Sequence, residues 1–594
     1  MADFKITNKF KGYITKPDKT NIEDGILVNG SQNVLFNDGE RIVARQGYTL
    51  DGASNASLTP VESSYDWDTS TGVERNLRSY DDELEVRILD GTTVTWTRVL
   101  DGWTSVDFNF ATYWDVNEVS DILLFVAGDA NVYSWSGGLA TLASSTVNTL
   151  TKNGTETWAE ARFVVAGTDY DKTVTINGTT YTYTGGEGTT TLTGVTPDPS
   201  GEAANSDVIQ KPTTHTSVPA SGVTNDLIEV LNNQVWYGSL TSGNIYVSKI
   251  NDFNNVTFSA LRAPGEGALI RSEAPPTAFI TQENSMYISA GKDRWYRDKF
   301  TLSSDQSEEQ LTIERLKTTS QEAAISQSAV AKIKNNVVFL NNEPTLDTLG
   351  RLENINTPQS KPLSDPIKPD FDVADFTNVH IKYFRNNIYI AIPNDSVLLI
   401  YNLEKGFWEA PQVFPFRRLS IIGGELYAHS ANVPETYKLF DGYNDNEAPI
   451  NAIASFSYQN YGTRTDYKNF DEWFTEGYIQ TNTLLTEKHR YDFEGSTSVI
   501  EKKIDGSTSA IIFNLSEDGS LGKKSLGKLT IGGKGSAVTD TVPPKFRVIK
   551  EMVREDFWEH QIEYSSNGVD QRWELLAYGP NVEVSRQDNN PIKE

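Results

Sequence analysis

The chain has 594 residues, with 52 Lys+Arg against 80 Asp+Glu and a formal charge of −28. That balance argues against a protein that grips nucleic acid, because phosphate neutralisation needs clustered cations. The absence of cysteine excludes disulfides, thiol nucleophiles and thiolate metal sites.

Hydrophobic residues reach 38% while aromatics reach 11%, a pairing that favours thin sheets with wide polar faces over disorder. The opening MADFKITNKFKGYITKPDK has no apolar signal core, and nowhere is there an 18-residue apolar run. The chain is therefore expected to carry no secretory signal and no transmembrane helix, and to be made in a cytoplasm.

Short alternating strands dominate from residue 76 onward. Arg78-Ser79-Tyr80 is followed by Leu84–Leu89. Leu123–Ala127 then runs through Gly128-Asp129-Ala130-Asn131 into Val132–Trp135, a hairpin signal. Related units start near Asn232, Glu283, Asn335, Asn386 and Gly423, at spacings of 51, 52, 51 and 37. Each opens with a polar turn, commonly Asn-Asn or Gly-Gly, before alternating aromatic and aliphatic positions. Repeats of this length, each a small antiparallel sheet, predict a β-propeller with blades over 76–141 and 227–443. Seven units qualify. Residues 1–75 read as a strand segment that joins the propeller or docks to a neighbour.

Residues 142–226 interrupt the repeats and are rich in Thr and Gly. Within them Thr173–Ile176, Asn177-Gly178 and Thr179–Thr184 form a strictly alternating hairpin, predicting a small β domain inserted through an inter-blade loop. From 444 to 594 longer strands such as Thr475–Gln480, Ala510–Phe513, Glu559–Tyr564 and Glu574–Tyr578 predict a β-sandwich. The one weak helical stretch is Ser320–Ser326. The predicted fold is all-β: propeller, inserted small β domain and C-terminal sandwich.

Catalytic raw material is scarce. The five histidines (His215, His380, His429, His489, His560) show no metal-ligand spacing and read as surface or sheet residues. No nucleophile elbow, phosphate loop or dinucleotide fingerprint is present, and Gly265-Glu266-Gly267 reads as a turn. Asp66-Trp67-Asp68, Asp81-Asp82-Glu83 and Asp471-Glu472-Trp473 combine acids with aromatics as glycosidases do, but solvated turns explain them better. Asp441-Gly442-Tyr443-Asn444-Asp445-Asn446 offers oxygens without the Ca²⁺-loop spacing and reads as a turn leaving the last blade. The expectation is no enzyme activity, no cofactor and no metal, with catalytic, cofactor-binding and metal residues all assigned as none.

Thr20-Asn21-Ile22, Asn29–Leu35 and Arg45-Gln46-Gly47-Tyr48 together resemble the opening of bacteriophage tail tubular and tail-stabilisation proteins. Gly167–Tyr181 resembles the insertion domain of nozzle proteins from short-tailed phages, as does Trp236–Ser239 running through Ile245–Phe253. The resemblance spans about 1–440 and contains no catalytic motif. It implies a structural virion protein of the tail, one subunit of a homo-oligomeric, hexameric ring that extends the DNA-ejection channel. Its implied partners are copies of itself, an adaptor or tail fibres, and DNA that passes without tight binding.

Six copies carry 6 × (−28) = −168, and an acidic lumen lets a duplex slide instead of sticking. Gly-rich loops at Gly185–Gly188 and Gly532–Gly535 are candidates for a gate. The alternatives are a tail hub or stabilising plug, and a glycan-binding or glycan-cleaving propeller. The last requires two carboxylates facing each other across roughly 5–10 Å.

Overall fold

The computed structural model describes residues 6–15, 23–37, 41–54, 57–103, 107–115, 120–164, 170–220, 222–257, 266–303, 310–317, 322–334, 336–350, 362–461, 467–492, 499–507 and 545–585. Ser320-Gln321, Asn335, Gly265, Ala510–Phe513, Gly532–Gly535, Thr20–Ile22 and Gly167–Asp169 lie outside them.

Seven antiparallel sheets follow one another along the described chain. Blade 1 runs from Ser63–Asp68 to Thr93–Asp101, and blade 2 from Asn109–Asp115 through Asn131–Trp135 to Thr213–Thr216. Blade 3 spans Leu227–Leu231 to Ala268–Arg271, and blade 4 spans Pro276–Gln282 to Gln310–Lys317. Blade 5 runs from Val330–Ile333 to Leu346–Thr348, and blade 6 from His380–Phe384 to Gln412–Val413. Blade 7 takes Phe416–Ile422, Glu425–Ser430 and Thr436–Leu439, and Tyr48–Leu50 is its outermost strand. The first strand of each blade packs against the first strand of the next, and that of blade 7 packs against that of blade 1. The ring is closed: a β-propeller of seven blades.

The polar turns are displaced from their predicted role. Asn232-Asn233, Arg385-Asn386 and Gly423-Gly424 each carry two consecutive positive φ angles (52° and 57°, 45° and 65°, 57° and 74°). This is the twist-matched two-residue hairpin that Asn and Gly favour. Each therefore joins strands one and two of a blade, and the blade begins one strand earlier than the turn. The predicted helix at Ser320–Ser326 is absent where described, because Ala324 bridges Asn341 instead. A helix forms at Lys368–Val373, where Pro369 sits in the first turn and its missing N–H costs nothing.

The inserted domain leaves from within blade 2, not from between blades. Asn131–Trp135 pairs directly with Thr213–Thr216, and the intervening strands Leu139–Thr146 to Asp207–Gln210 form a separate six-stranded sheet. That sheet encloses its own core of Trp158, Phe163, Val174, Ile176, Tyr181 and Leu192. A strand pair already ordered by the blade lets both ends of the insert leave side by side.

The C-terminal region is a two-sheet sandwich. One sheet orders Val34–Asn37, Arg41–Ala44, Trp573–Ser585, Tyr467–Ile479 and Lys545–Phe557; the other holds Ile450–Ser455, His560–Gly568, Leu484–Tyr491 and Ile500–Asp505. Its core of Trp473, Tyr564 and Trp573 is continuous with Val338 of blade 5, Ile390 of blade 6, and Phe10, Tyr13 and Leu27. The N-terminal segment thus contributes to the sandwich, to blade 7 and to blade 1 in turn.

Glu409 fastens part of that segment. It is 5% exposed, and its Oε2 accepts the Phe36 N–H at 2.7 Å. Burial pushes its carboxyl up to about 8. A raised folded-state value means that its contribution is complete below the ordinary carboxylate range and is lost as pH rises through about 8. Glu409→Gln is therefore expected to keep neutral-pH stability and to remove an alkaline loss of protection at Val34–Asn37. Hydrogen exchange at pH 7 and 9 checks this; an identical alkaline response in the variant contradicts it.

Candidate functional site

Propeller blades pack face to face, so each blade face needs an apolar partner. Six of the seven inter-blade faces have one among the described residues. Trp67 and Trp135 join blades 1 and 2, and Tyr113 and Tyr237 join blades 2 and 3. Trp236 and Phe279 join blades 3 and 4, and Trp295 and Phe339 join blades 4 and 5. Val338 and Ile390 join blades 5 and 6, and Ile400 and Leu419 join blades 6 and 7.

The closing face between blades 7 and 1 is built differently. Asp66 Oδ2 accepts Lys382 Nζ at 2.7 Å and the Ile421 N–H at 2.8 Å. Arg417 pairs with Glu62, and Arg418, 4% exposed, donates to the carbonyls of Glu62 at 2.6 Å and Asn378 at 3.1 Å. Arg78 donates to Glu85 Oε2 at 2.8 Å and Thr436 Oγ1 at 3.0 Å, its guanidinium 4.2 Å from the Trp96 ring centre. Further out, Arg87 forks onto Asp51 at 2.8 and 2.9 Å. The seam is ionic from the axis to the rim. Removing one partner of such a buried pair strands a charge, which makes the seam specific about its closure.

His429 sits in this seam between Ser420 Oγ at 2.8 Å and Thr436 Oγ1 at 2.9 Å, and His380 Nδ1 accepts the Leu419 N–H at 2.9 Å. Burial and the cations Arg418 and Lys382 hold both imidazoles well below their ordinary range. At the axis, Tyr65 Oη lies 3.2 Å from Thr112 Oγ1, and burial pushes Glu229 up to about 7 against the attraction of Lys332. These side chains come from the first strands of blades 1, 2, 3 and 5.

The glycosidase-like acids do not form a site. Asp66 is committed to the seam, Asp68 is exposed, and Asp81-Asp82 form an exposed turn after which Glu83 pairs with Arg98 at 3.2 Å. Trp473 points into the sandwich core, and the Asp471 side chain is outside the described set. In the Asp441–Asn446 run, Asp445 is an ion-pair partner of Arg45, and no group of three His, Asp or Glu among the described residues is placed to hold a metal. Gly185–Gly188 folds onto the insert itself: Gly185 bridges Thr193, and a Cβ at Gly186 (φ +96°) would meet Thr191 O at 2.1 Å.

The histidines are in sheets but not at the surface. His489 and His560, 71 residues apart, meet at 2.9 Å between Nδ1 and Nε2, with Tyr461 Oη 2.8 Å from the other nitrogen of His560. Strand pairing of Tyr491 with His560 puts them diagonally on one buried face, which linear spacing does not reveal. Burial holds His560 well below its ordinary range, and His215, 2.7 Å from Ser134 Oγ, is pushed down to about 4.

Depressed imidazoles favour the neutral folded state, so this contribution is complete above about 6.5 and is lost as pH falls toward 4. For His215 alone that amounts to about 3 kcal/mol. Urea midpoints are expected to fall steeply between pH 7 and 4.5, and His215→Gln is expected to flatten part of the fall. A midpoint independent of pH in this window contradicts the arrangement.

Geometry alone defines the class: a seven-bladed propeller with an insert in blade 2 and an attached sandwich. No family model and no curated protein matches the chain. Among solved structures it is similar to the computationally designed Ika8 protein at 12% identity, covering 66% of this chain and 99% of that one, with a TM-score of 0.30. It is similar to BBS1N in complex with ARL6DN at 12% identity, 66% and 97% coverage and a TM-score of 0.23. Kluyveromyces lactis Hsv2 follows at 9% identity, 59% and 97% coverage and 0.23. Similarities this distant carry no argument, and the fold rests on the strand pairings above. No helix among the described residues is long and apolar enough to cross a membrane.

Proposed function

We propose that the protein is a structural subunit of a bacteriophage tail, assembled as a ring, six copies by the resemblance, whose lumen extends the DNA-ejection channel. The observation that carries this reading is the division of labour in the chain. The first strands line the propeller axis with Tyr65, Thr112, Glu229 and Lys332, and the proposed conduit forms between subunits of the ring. The insert and the sandwich project from opposite parts of the ring sequence and supply surfaces for neighbours, an adaptor or fibres. The formal charge of −28 supports a lumen that repels phosphate. No bond chemistry is assigned, in keeping with the dispersal of the candidate carboxylates.

Gold-labelled antibody against the chain, applied to virions of the phage encoding it, is expected to mark the tail. Label confined to the capsid, or absent from virions, contradicts the reading. The glycan-cleaving alternative loses ground because Asp66, one of its candidate carboxylates, is already held by Lys382 and a backbone N–H.

A further inference from the structure

A cleft of about 460 Å³ opens between the two middle strands of blade 1 and the inserted domain. Its size and its place between two domains are those of small-ligand sites. Most of its charges are already matched. Arg87 is committed to Asp51 at 2.8 and 2.9 Å. Lys152, its side chain 1% exposed, donates to two carbonyls and to Glu156 Oε1 at 3.1 Å. Glu74 accepts the Gly423 N–H at 2.9 Å and Asn76 Nδ2 at 3.0 Å.

Arg75 is the exception. It donates Nε to Gly137 O at 3.0 Å and one terminal nitrogen to Glu74 O at 3.3 Å, both neutral carbonyls. Among the described residues no carboxylate pairs with it, and its other terminal nitrogen has no hydrogen bond. Burial and the neighbouring Arg162 pull the guanidinium down to about 10, against the attraction of Glu156, which forms no ion pair with it. A half-desolvated fork of this kind favours a planar, singly charged acceptor.

The remaining walls narrow the ligand. Asp207 has one protein donor, Thr97 Oγ1 at 3.5 Å, and burial pushes its carboxyl up. Asn153 Nδ2 is already used on Thr141 Oγ1 and Asn205 Oδ1 at 3.2 Å, so Asp207 and Asn153 Oδ1 offer acceptors to hydroxyls, while Ile88 and the 59% exposed Leu89 offer an apolar strip. The acids Glu74, Glu156 and Asp207 disfavour a doubly charged phosphate. We propose that this cleft binds the carboxylate-bearing end of an acidic sugar, the carboxylate on Arg75 and the ring hydroxyls on Asp207 and Asn153. This stands apart from the tail assignment and survives or fails independently of it.

Calorimetry on the full chain tests it, with a glucuronate-terminated disaccharide as probe and its glucose-terminated counterpart and inorganic phosphate as controls. The acidic disaccharide is expected to bind, the neutral one about tenfold or more weaker, and Arg75→Gln to lose the same factor. Should Arg75→Gln not fold, arginine modification of the unaltered protein by phenylglyoxal serves: the acidic disaccharide slows labelling of Arg75 and the neutral one does not. Equal binding of both sugars, tighter binding of phosphate, or absence of heat and protection overturns the proposal.

Discussion

Replacing Arg45 by alanine is expected to destabilise the protein by about 3–5 kcal/mol, the loss typical of stranding one half of a buried ion pair. Arg45 is 2% exposed, and its guanidinium forks onto both oxygens of Asp445 at 2.6 Å. It also donates to Asn33 Oδ1 at 2.9 Å and to the carbonyls of Gln46 and Val413 at 3.1 and 3.2 Å, and lies 4.0 Å from the Phe414 ring centre. Five acceptor contacts and one ring therefore depend on a single side chain. They join the N-terminal segment, the strand leading into blade 7 and the turn leaving it. Arg45→Ala leaves a carboxylate and two carbonyls without their donor. Because a chain of several domains need not unfold in one step, hydrogen exchange resolved by peptide is the suitable readout. Protection is expected to collapse first at 31–50 and 412–446, with Asp445→Asn intermediate. A loss below 1 kcal/mol spread evenly over the chain contradicts the assignment.

Removing residues 1–50 has a larger expected effect: loss of the folded state. Blade 7 would lose its outermost strand, in which the Tyr48 ring meets Phe414, Phe416 and Tyr437 edge-on at 5.6, 5.0 and 5.1 Å. The sandwich would lose two strands beside Trp573–Ser585 and the buried Phe10, Tyr13, Leu27, Val34 and Ile42. Closing the ring with a strand from the other end of the sequence makes every other blade depend on this contact. The truncated chain is expected to aggregate or to show no cooperative thermal transition, and the missing segment added as a peptide should restore one. A soluble truncated chain with the full-length transition would show that the N-terminal strands are accessory.

The all-β class and the repeat were legible because strand alternation and Asn-Asn or Gly-Gly turns are local signals. Their phase was not. A two-residue turn marks a hairpin, and nothing local says whether the first or second strand of a blade precedes it. The insert was recognised from Asn177-Gly178, while its origin inside blade 2 depends on Asn131–Trp135 pairing across about 80 residues, which no window contains.

The ionic seam had one trace in the sequence. Arg417-Arg418 interrupts a strand whose other residues, apart from Ser420, are the apolar Phe416, Leu419, Ile421 and Ile422, and charges within such a strand need buried partners. Glu62, which meets both arginines, lies about 350 residues away. Tyr48 and Arg45 carry no local signal in the sequence beyond the resemblance; their packing gives the physical reason those residue types stand there.

The mass of the native assembly, measured by light scattering with electron images of the same sample, tests the central claim most directly. The expected result is a ring of six 66.0-kDa chains with a central hole, formed alone or on addition of the tail adaptor. A single chain of 66.0 kDa that forms no ring with any tail partner would contradict it.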